Sequence, residues 1–160
     1  MIRAYIGLGA NLGEPAAQLR QALGRLEALG RLIAVSPFYR SAAMGPGPQP
    51  DYCNAVCMLE TGLSPDALMQ SLLDIERAAG RTRDGRKWLA RPLDLDLLHV
   101  PGVQNHTEAL QLPHPGIAVR NFVLVPWADI DPQLELPGIG RIAEAAAAIG
   151  RADLRRWDDG

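Results

Sequence analysis

Apolar residues recur along this chain with two rhythms, a period of two and a period near 3.6, and the two alternate in blocks. RAYIGLGAN (3–11) reads as a strand, and NLGEPAAQLRQALGRLEALG (11–30) follows as a helix. Pro15 suits its first turn, and Leu19, Leu23, Leu26 and Leu29 form its apolar stripe. LIAVSPFYR (32–40) predicts a second strand, and SAAMGPGPQPD (41–51) gathers Gly45, Pro46, Gly47, Pro48 and Pro50 into a loop. YCNAVCMLE (52–60) predicts a third strand. Ser64 then caps a helix that starts at Pro65, buries Leu68, Leu72, Ile75 and Ala79, and ends at Gly80. A basic loop leads into the strand DLDLL (94–98). Beyond it come a Pro-Gly turn at 101–102, LPHPG (112–116), the apolar stretch FVLVPWADI (122–130), a short LELPG strand (134–138) and an alanine-rich helix from about 141 to 149. The order β-α-β-β-α-β predicts an α+β, ferredoxin-like sandwich with C-terminal additions.

With 160 residues, 48% of them hydrophobic and 21% charged, one domain with a substantial core is expected over residues 1–160. A net charge of −2 gives no general attraction to nucleic acid. No signal-peptide pattern and no 18-residue apolar run occur, so no membrane role is expected. Cys53 and Cys57 would share a strand face about 13 Å apart, beyond disulfide reach. They read as core residues of a protein in a reducing cytoplasm. GLGANLG places glycines at 7, 9 and 13, one residue off the dinucleotide fingerprint, and reads as a tight strand-to-helix turn.

The chemistry concentrates at RPLDLDLL (91–98). In an extended chain Leu93, Leu95 and Leu97 share one face, and Asp94 and Asp96 share the other. Their Cα atoms would lie about 6.6 Å apart. Paired carboxylates of this kind either sit on a solvated face or hold a divalent cation such as Mg²⁺ together with substrate phosphates. Arg81, Arg83, Arg86, Lys87 and Arg91 precede them, which is 5 of the chain's 16 basic residues within 11 positions. Carboxylates with metal, flanked by guanidinium forks, suit a polyphosphate, and Gly80 and Gly85 would let the segment close over it. Tyr52 and Asn54 share a strand face, and Phe122 follows Arg120 and Asn121. Such a set can stack on a flat heterocycle and read its edge.

AYIGLGANLG, SPFYRSAAMGPGPQPDYCNAV, GRTRDGRKWLARPLDLDLL and LPHPGIAVRNFVLVPWADI, in that order, give the chain a resemblance to the 6-hydroxymethyl-7,8-dihydropterin pyrophosphokinases of folate biosynthesis. The resemblance implies ATP as co-substrate, two Mg²⁺ ions, and transfer of the ATP diphosphate to the pterin hydroxymethyl oxygen, leaving AMP. It implies Asp94 and Asp96 as metal ligands, with Arg81 and Arg91 completing the catalytic set. The ATP site implied is Glu76, Arg81, Arg83, Lys87, Trp88, Arg91, Leu97, His114 and Arg120. The pterin site implied is Ser41, Ala42, Met44, Tyr52, Asn54, Asp94 and Phe122, and Asn11 has a structural role in the turn after the first strand. Asp84, Leu73 and Ala109 stand where the family often carries a lysine, a glutamine and an arginine.

Small molecules are therefore the partners expected, for a cytoplasmic monomer with no nucleic-acid or membrane partner. Two other readings remain open from the residues. One is a different Mg-dependent nucleotidyl or phosphoryl transferase, and the other a non-catalytic ferredoxin-like binding module. Selective pterin binding separates the first from a pterin pyrophosphokinase, and a nucleic-acid titration tests the second.

Overall fold

The computed structural model describes residues 1–42, 50–80 and 93–157. In chain order they form β1 (Ile2–Ala10), α1 (Pro15–Glu27), β2 (Gly30–Val35), β3 (Tyr39–Ser41), β4 (Tyr52–Thr61), α2 (Pro65–Ala78) and β5 (Asp94–His99). These are followed by β6 (Asn105–His106), β7 (Gln111–Leu112), a 3-10 turn (Ile117–Val119), α3 (Asn121–Ile130), β8 (Glu135–Leu136), β9 (Gly140–Arg141), α4 (Ile142–Ile149) and β10 (Leu154–Arg156). The fold is mixed α and β. Its main sheet is antiparallel, ordered β10-β3-β4-β1-β5, with β2 also paired to β4.

Local chemistry sets the helix ends. Pro15 opens α1, and Pro65 opens α2 behind Ser64, whose Oγ accepts the Ala67 N–H at 3.2 Å. Gly80, at φ +99°, closes α2 in a conformation that favours glycine. The expected second strand is divided in two. Pro37 has no N–H to donate, and Ser36 fills the break: its N–H donates to the Val56 carbonyl at 2.9 Å and its Oγ accepts the Val56 N–H at 3.0 Å. Val35 faces Cys57 and Tyr39 faces Asn54, so four residues advance against three and the edge bulges.

The sheet is covered on both faces, which is why β4 is buried along most of its length. One face carries Ile6, Leu8, Cys57, Leu59, Leu95 and Leu97, packed on Leu19 and Leu26 of α1 and Leu68 and Leu72 of α2. Burial holds the Cys57 thiol near 12, and both cysteines are free core residues as expected. The opposite face carries Tyr5, Val56, Met58 and Leu98 against Val123, Leu124 and Trp127 of α3 and Ile142 of α4.

Residues 122–130, an apolar stretch with no predicted element, form most of α3. Pro126 lies inside this helix and cannot donate to the carbonyl four residues back, and almost every side chain is apolar, so no amphipathic stripe marks it. Buried tertiary contacts override those signals. The Tyr5 hydroxyl donates to Asp131 and the Tyr39 hydroxyl donates to Asp129 at 2.5 Å, pinning the C-terminal end of α3 to the sheet. Burial, then the bond to Asp131, drives the Tyr5 hydroxyl well above its ordinary value. The LELPG segment gives only the two residues of β8, in a small hairpin with β9, while β10 adds an unpredicted charged edge to the main sheet beside β3. No helix among the described residues is long and apolar enough to cross a membrane.

Candidate active site

Two glycines in the central strand open the site. Gly9 pairs with Asn54 on β4 and with Asp94 on β5, while Gly7 pairs with Val56 and Asp96. Both glycines lie inside β1, within the strand read from residues 3–11. Gly13, at φ +60°, follows in the connection to α1. Where side chains would stand on β1 there is instead the floor of a cavity of about 370 Å³. A Cβ on Gly9 would meet Asn54 Oδ1 at 3.3 Å and Tyr52 Cδ1 at 3.7 Å. Glycine here serves close approach, a signal carried by GxG within a strand pattern.

Eight residues expected at the site line this cavity: Ser41, Ala42, Tyr52, Asn54, Asp94, Asp96, Arg120 and Phe122. Leu8, Ala55, Val119 and Val123, not foreseen, also line it. Asn54 is buried, and its Nδ2 donates to Ser41 Oγ at 2.7 Å, which fixes the orientation of the amide. The N-terminal end of α3 brings Arg120 and Phe122 to the cavity, with the guanidinium carbon 6.0 Å from the ring centre.

A second cavity of about 220 Å³ is lined by Met69, Asp96, Leu97, Ala109, Gln111 and His114, among others. Asp96 therefore borders both cavities. Its carboxylate has Arg120 Nη1 at 3.8 Å and His114 Nε2 at 3.9 Å. The Gly116 N–H donates to His114 Nδ1 at 3.0 Å, so in the neutral ring the proton resides on Nε2, toward Asp96. Burial lowers the His114 pKa, Asp96 pushes it up, and Arg120 pushes it down.

Glu76 lines neither of these cavities. It is buried on α2 and its Oε2 accepts the Leu95 N–H at 2.7 Å. Asn11, also buried, donates from Nδ2 to the Pro50 carbonyl at 3.1 Å, tying the end of β1 to the segment that leads into β4. Met44, Arg81, Arg83, Lys87, Trp88 and Arg91 lie outside the described residues.

The donor set suits one kind of metal. No group of three His, Cys, Asp or Glu side chains fit to hold a metal occurs among the described residues. Asp94 and Asp96 together offer hard carboxylate oxygens at a cavity with room for further oxygen ligands, as Mg²⁺ prefers.

Residues 5–132 match the family described as 7,8-dihydro-6-hydroxymethylpterin-pyrophosphokinase (HPPK). Among relatives named 2-amino-4-hydroxy-6-hydroxymethyldihydropteridine pyrophosphokinase, the Pseudomonas aeruginosa protein is 43% identical over 156 residues, covering 96% of each chain. That of Haemophilus influenzae is 44% identical over 146 residues, covering 90% of this chain and 91% of the relative. That of Methylorubrum extorquens is 40% identical over 158 residues, covering 98% and 99%. The fold also superposes on a solved HPPK-DHPS complex with substrates at a TM-score of 0.77, with 12% identity and 98% of this chain covered. A Plasmodium falciparum HPPK-DHPS gives 0.75, with 12% identity and 97% covered. This chain spans 48% and 46% of those two longer chains. A match from residue 5 to 132, with 40–44% identity over 90–98% of the chain to three relatives named as pyrophosphokinases, makes this chain a member of the HPPK family.

Proposed function

We propose that this protein transfers the diphosphate of ATP to the hydroxymethyl oxygen of 6-hydroxymethyl-7,8-dihydropterin, releasing AMP and the pterin diphosphate, a step of tetrahydrofolate biosynthesis. One observation carries the reading: Asp96 borders two cavities, one floored by glycine and flanked by an oriented amide, the other flanked by a histidine N–H. A two-substrate transfer needs such a shared wall, because the reacting groups must meet in line.

The pterin occupies the larger cavity. Its flat ring lies over Gly7 and Gly9, the Asn54 amide reads its pyrimidinone edge, and Tyr52 and Phe122 cover its faces. The nucleotide occupies the smaller cavity beside Leu97 and His114. Arg120 and the His114 Nε2–H then face phosphate oxygens at the partition, where fixed donors act without reorganising during the reaction. Asp94 and Asp96 would hold Mg²⁺, two ions in all, which would neutralise charge on the phosphate oxygens. Arg81, Arg83, Lys87, Trp88 and Arg91 complete the proposed nucleotide site, and Met44 the pterin site. Attack by the hydroxymethyl oxygen forms a bond to the β-phosphorus and breaks its bond to the oxygen that leaves with AMP.

The same reading takes the chain as one domain with ferredoxin-like β-α-β-β-α-β topology, acting as a cytoplasmic monomer. The strand order β5-β1-β4-β2 supports the topology. Incubation with ATP, Mg²⁺ and the pterin is expected to give AMP and pterin diphosphate in equal amounts, counted by phosphorus NMR. Accumulation of ADP, or AMP without pterin, overturns the assignment.

A further inference from the structure

We propose that Glu76 is a positioning residue, bracing from beneath the sheet the peptide that joins the two candidate metal ligands. Its Oε2 accepts the Leu95 N–H at 2.7 Å, and Leu95 lies between Asp94 and Asp96. Glu76 is 3% exposed and projects from α2, whose Leu68 and Leu72 pack on the sheet face that carries Leu95 and Leu97. Asp94 and Asp96 line the cavity on the other face. The bond therefore passes through the edge of the sheet and links the α2 layer to the site.

Four physical points favour a brace over incidental packing. β5 is an edge strand: β1 pairs with it on one side, and no other described strand pairs with it on the other. The Leu95 N–H belongs to the peptide that also carries the Asp94 carbonyl, so anchoring it fixes the backbone torsions on both sides of that peptide. Two like charges on one face of an edge strand push the backbone apart, and a hydrogen bond at the residue between them opposes that motion. A buried carboxylate is costly unless its oxygens are bonded, whereas an apolar residue would fill the same place on α2 without that cost. Accepting the Leu95 N–H gives a glutamate at this position a use that bulk alone would not supply. This assignment replaces direct contact with the nucleotide by action through the backbone. It rests on the diphosphate-transfer reading only for its kinetic consequence.

Glu76→Ala and Glu76→Gln, compared with the unaltered chain, test the brace. Amide exchange at Leu95 and Mn²⁺ binding, followed by electron paramagnetic resonance, are read without substrates. The Mg²⁺ requirement of turnover and the pterin dissociation constant are read with them. Glu76→Ala is expected to speed Leu95 exchange and to raise the Mn²⁺ dissociation constant and Mg²⁺ requirement about tenfold, with pterin affinity held within about threefold, the pattern of a lost outer partner of a metal ligand. Glu76→Gln keeps an acceptor oxygen and is expected to recover most of each loss. A folded alanine variant with unchanged Leu95 exchange and unchanged metal requirement overturns the proposal. So does a glutamine variant as impaired as the alanine one, since charge would then matter and the accepted bond would not. Should the alanine variant fail to fold, the glutamine variant decides alone: near-native Leu95 exchange and metal requirement support the brace, and their loss overturns it. Should the unaltered chain make no pterin diphosphate, the functional reading fails, while Leu95 exchange and Mn²⁺ binding still decide the role of Glu76.

Discussion

Asn54 and Asp94 flank one glycine: Gly9 on the central strand pairs with Asn54 on one side and with Asp94 on the other. The amide proposed to read the pterin and a carboxylate proposed to hold metal are thus set by the same position. A methyl group on Gly9 would meet Asn54 Oδ1 at 3.3 Å, and the branches of a valine would reach further into the cavity. Gly9→Val is expected to weaken pterin binding by about 1–3 kcal/mol, the usual cost of overpacking, while ATP affinity holds. Calorimetric titration of each ligand checks this. Equal losses for both would assign the effect to the fold.

Asp94 and Asp96 differ in reach, since Asp94 lines only the larger of the two cavities described and Asp96 lines both. Both Asp94→Asn and Asp96→Asn are expected to lower turnover at fixed Mg²⁺ on the order of a hundredfold or more, through loss of metal charge at the phosphates. Thermal stability is expected to hold or rise, because one of two neighbouring like charges is gone. With a non-hydrolysable ATP analogue and no divalent metal present, only Asp96→Asn should also disturb nucleotide binding, having removed the carboxylate beside His114 and Arg120. Near-normal turnover in both variants would rule out the metal assignment.

Ser41 acts through Asn54. Its hydroxyl accepts from Asn54 Nδ2 at 2.7 Å, and both residues are buried. Ser41→Ala leaves the amide free to turn over and lose register with the pyrimidinone edge. Pterin affinity is expected to fall by about 1 kcal/mol, the scale of one net hydrogen bond, and Ser41→Thr to retain it. A pterin dissociation constant unchanged in Ser41→Ala would remove the hydroxyl from the recognition mechanism.

The parts of this site that were legible in the sequence are those governed by short-range rules. Alternation at DLDLL put both aspartates on one face, and alternation at YCN did the same for Tyr52 and Asn54, as the cavity lining bears out. What escaped depends on pairing across strands. GLG falls within the strand read from residues 3–11, and only its register against Asn54 and Asp94 makes it a cavity floor. Glu76 sits on a helix face otherwise lined with Leu68, Leu72 and Ile75, and no local pattern announces that Leu95, 19 residues on, donates to it. The helix α3 was hidden by Pro126, whose local cost is offset by burial of Val123, Leu124 and Trp127.

His99, at the end of the strand that carries the aspartates, gives the fold an acid sensitivity. It is buried against Tyr5, with ring centres 6.3 Å apart, and its Nδ1 has no hydrogen-bond partner among the described residues. Burial lowers its pKa below the ordinary value of about 6.5. Below that ordinary value the unfolded chain takes up a proton that the native chain refuses, so the unfolded state binds more protons and stability must rise with pH. Acidification from neutrality through the mid-6 range is therefore expected to lower the free energy of unfolding, and the loss levels off only once the buried ring is protonated. His114, also held down by burial, adds a loss of the same sign. Replacing His99 by asparagine removes one of these two terms, whatever it does to stability at neutral pH. Urea unfolding at a series of pH values between about 5.5 and 7.5, spanning the ordinary histidine range, should then give a shallower slope for His99→Asn than for the unaltered chain. Identical slopes would mean that His99 already binds its proton in the native state.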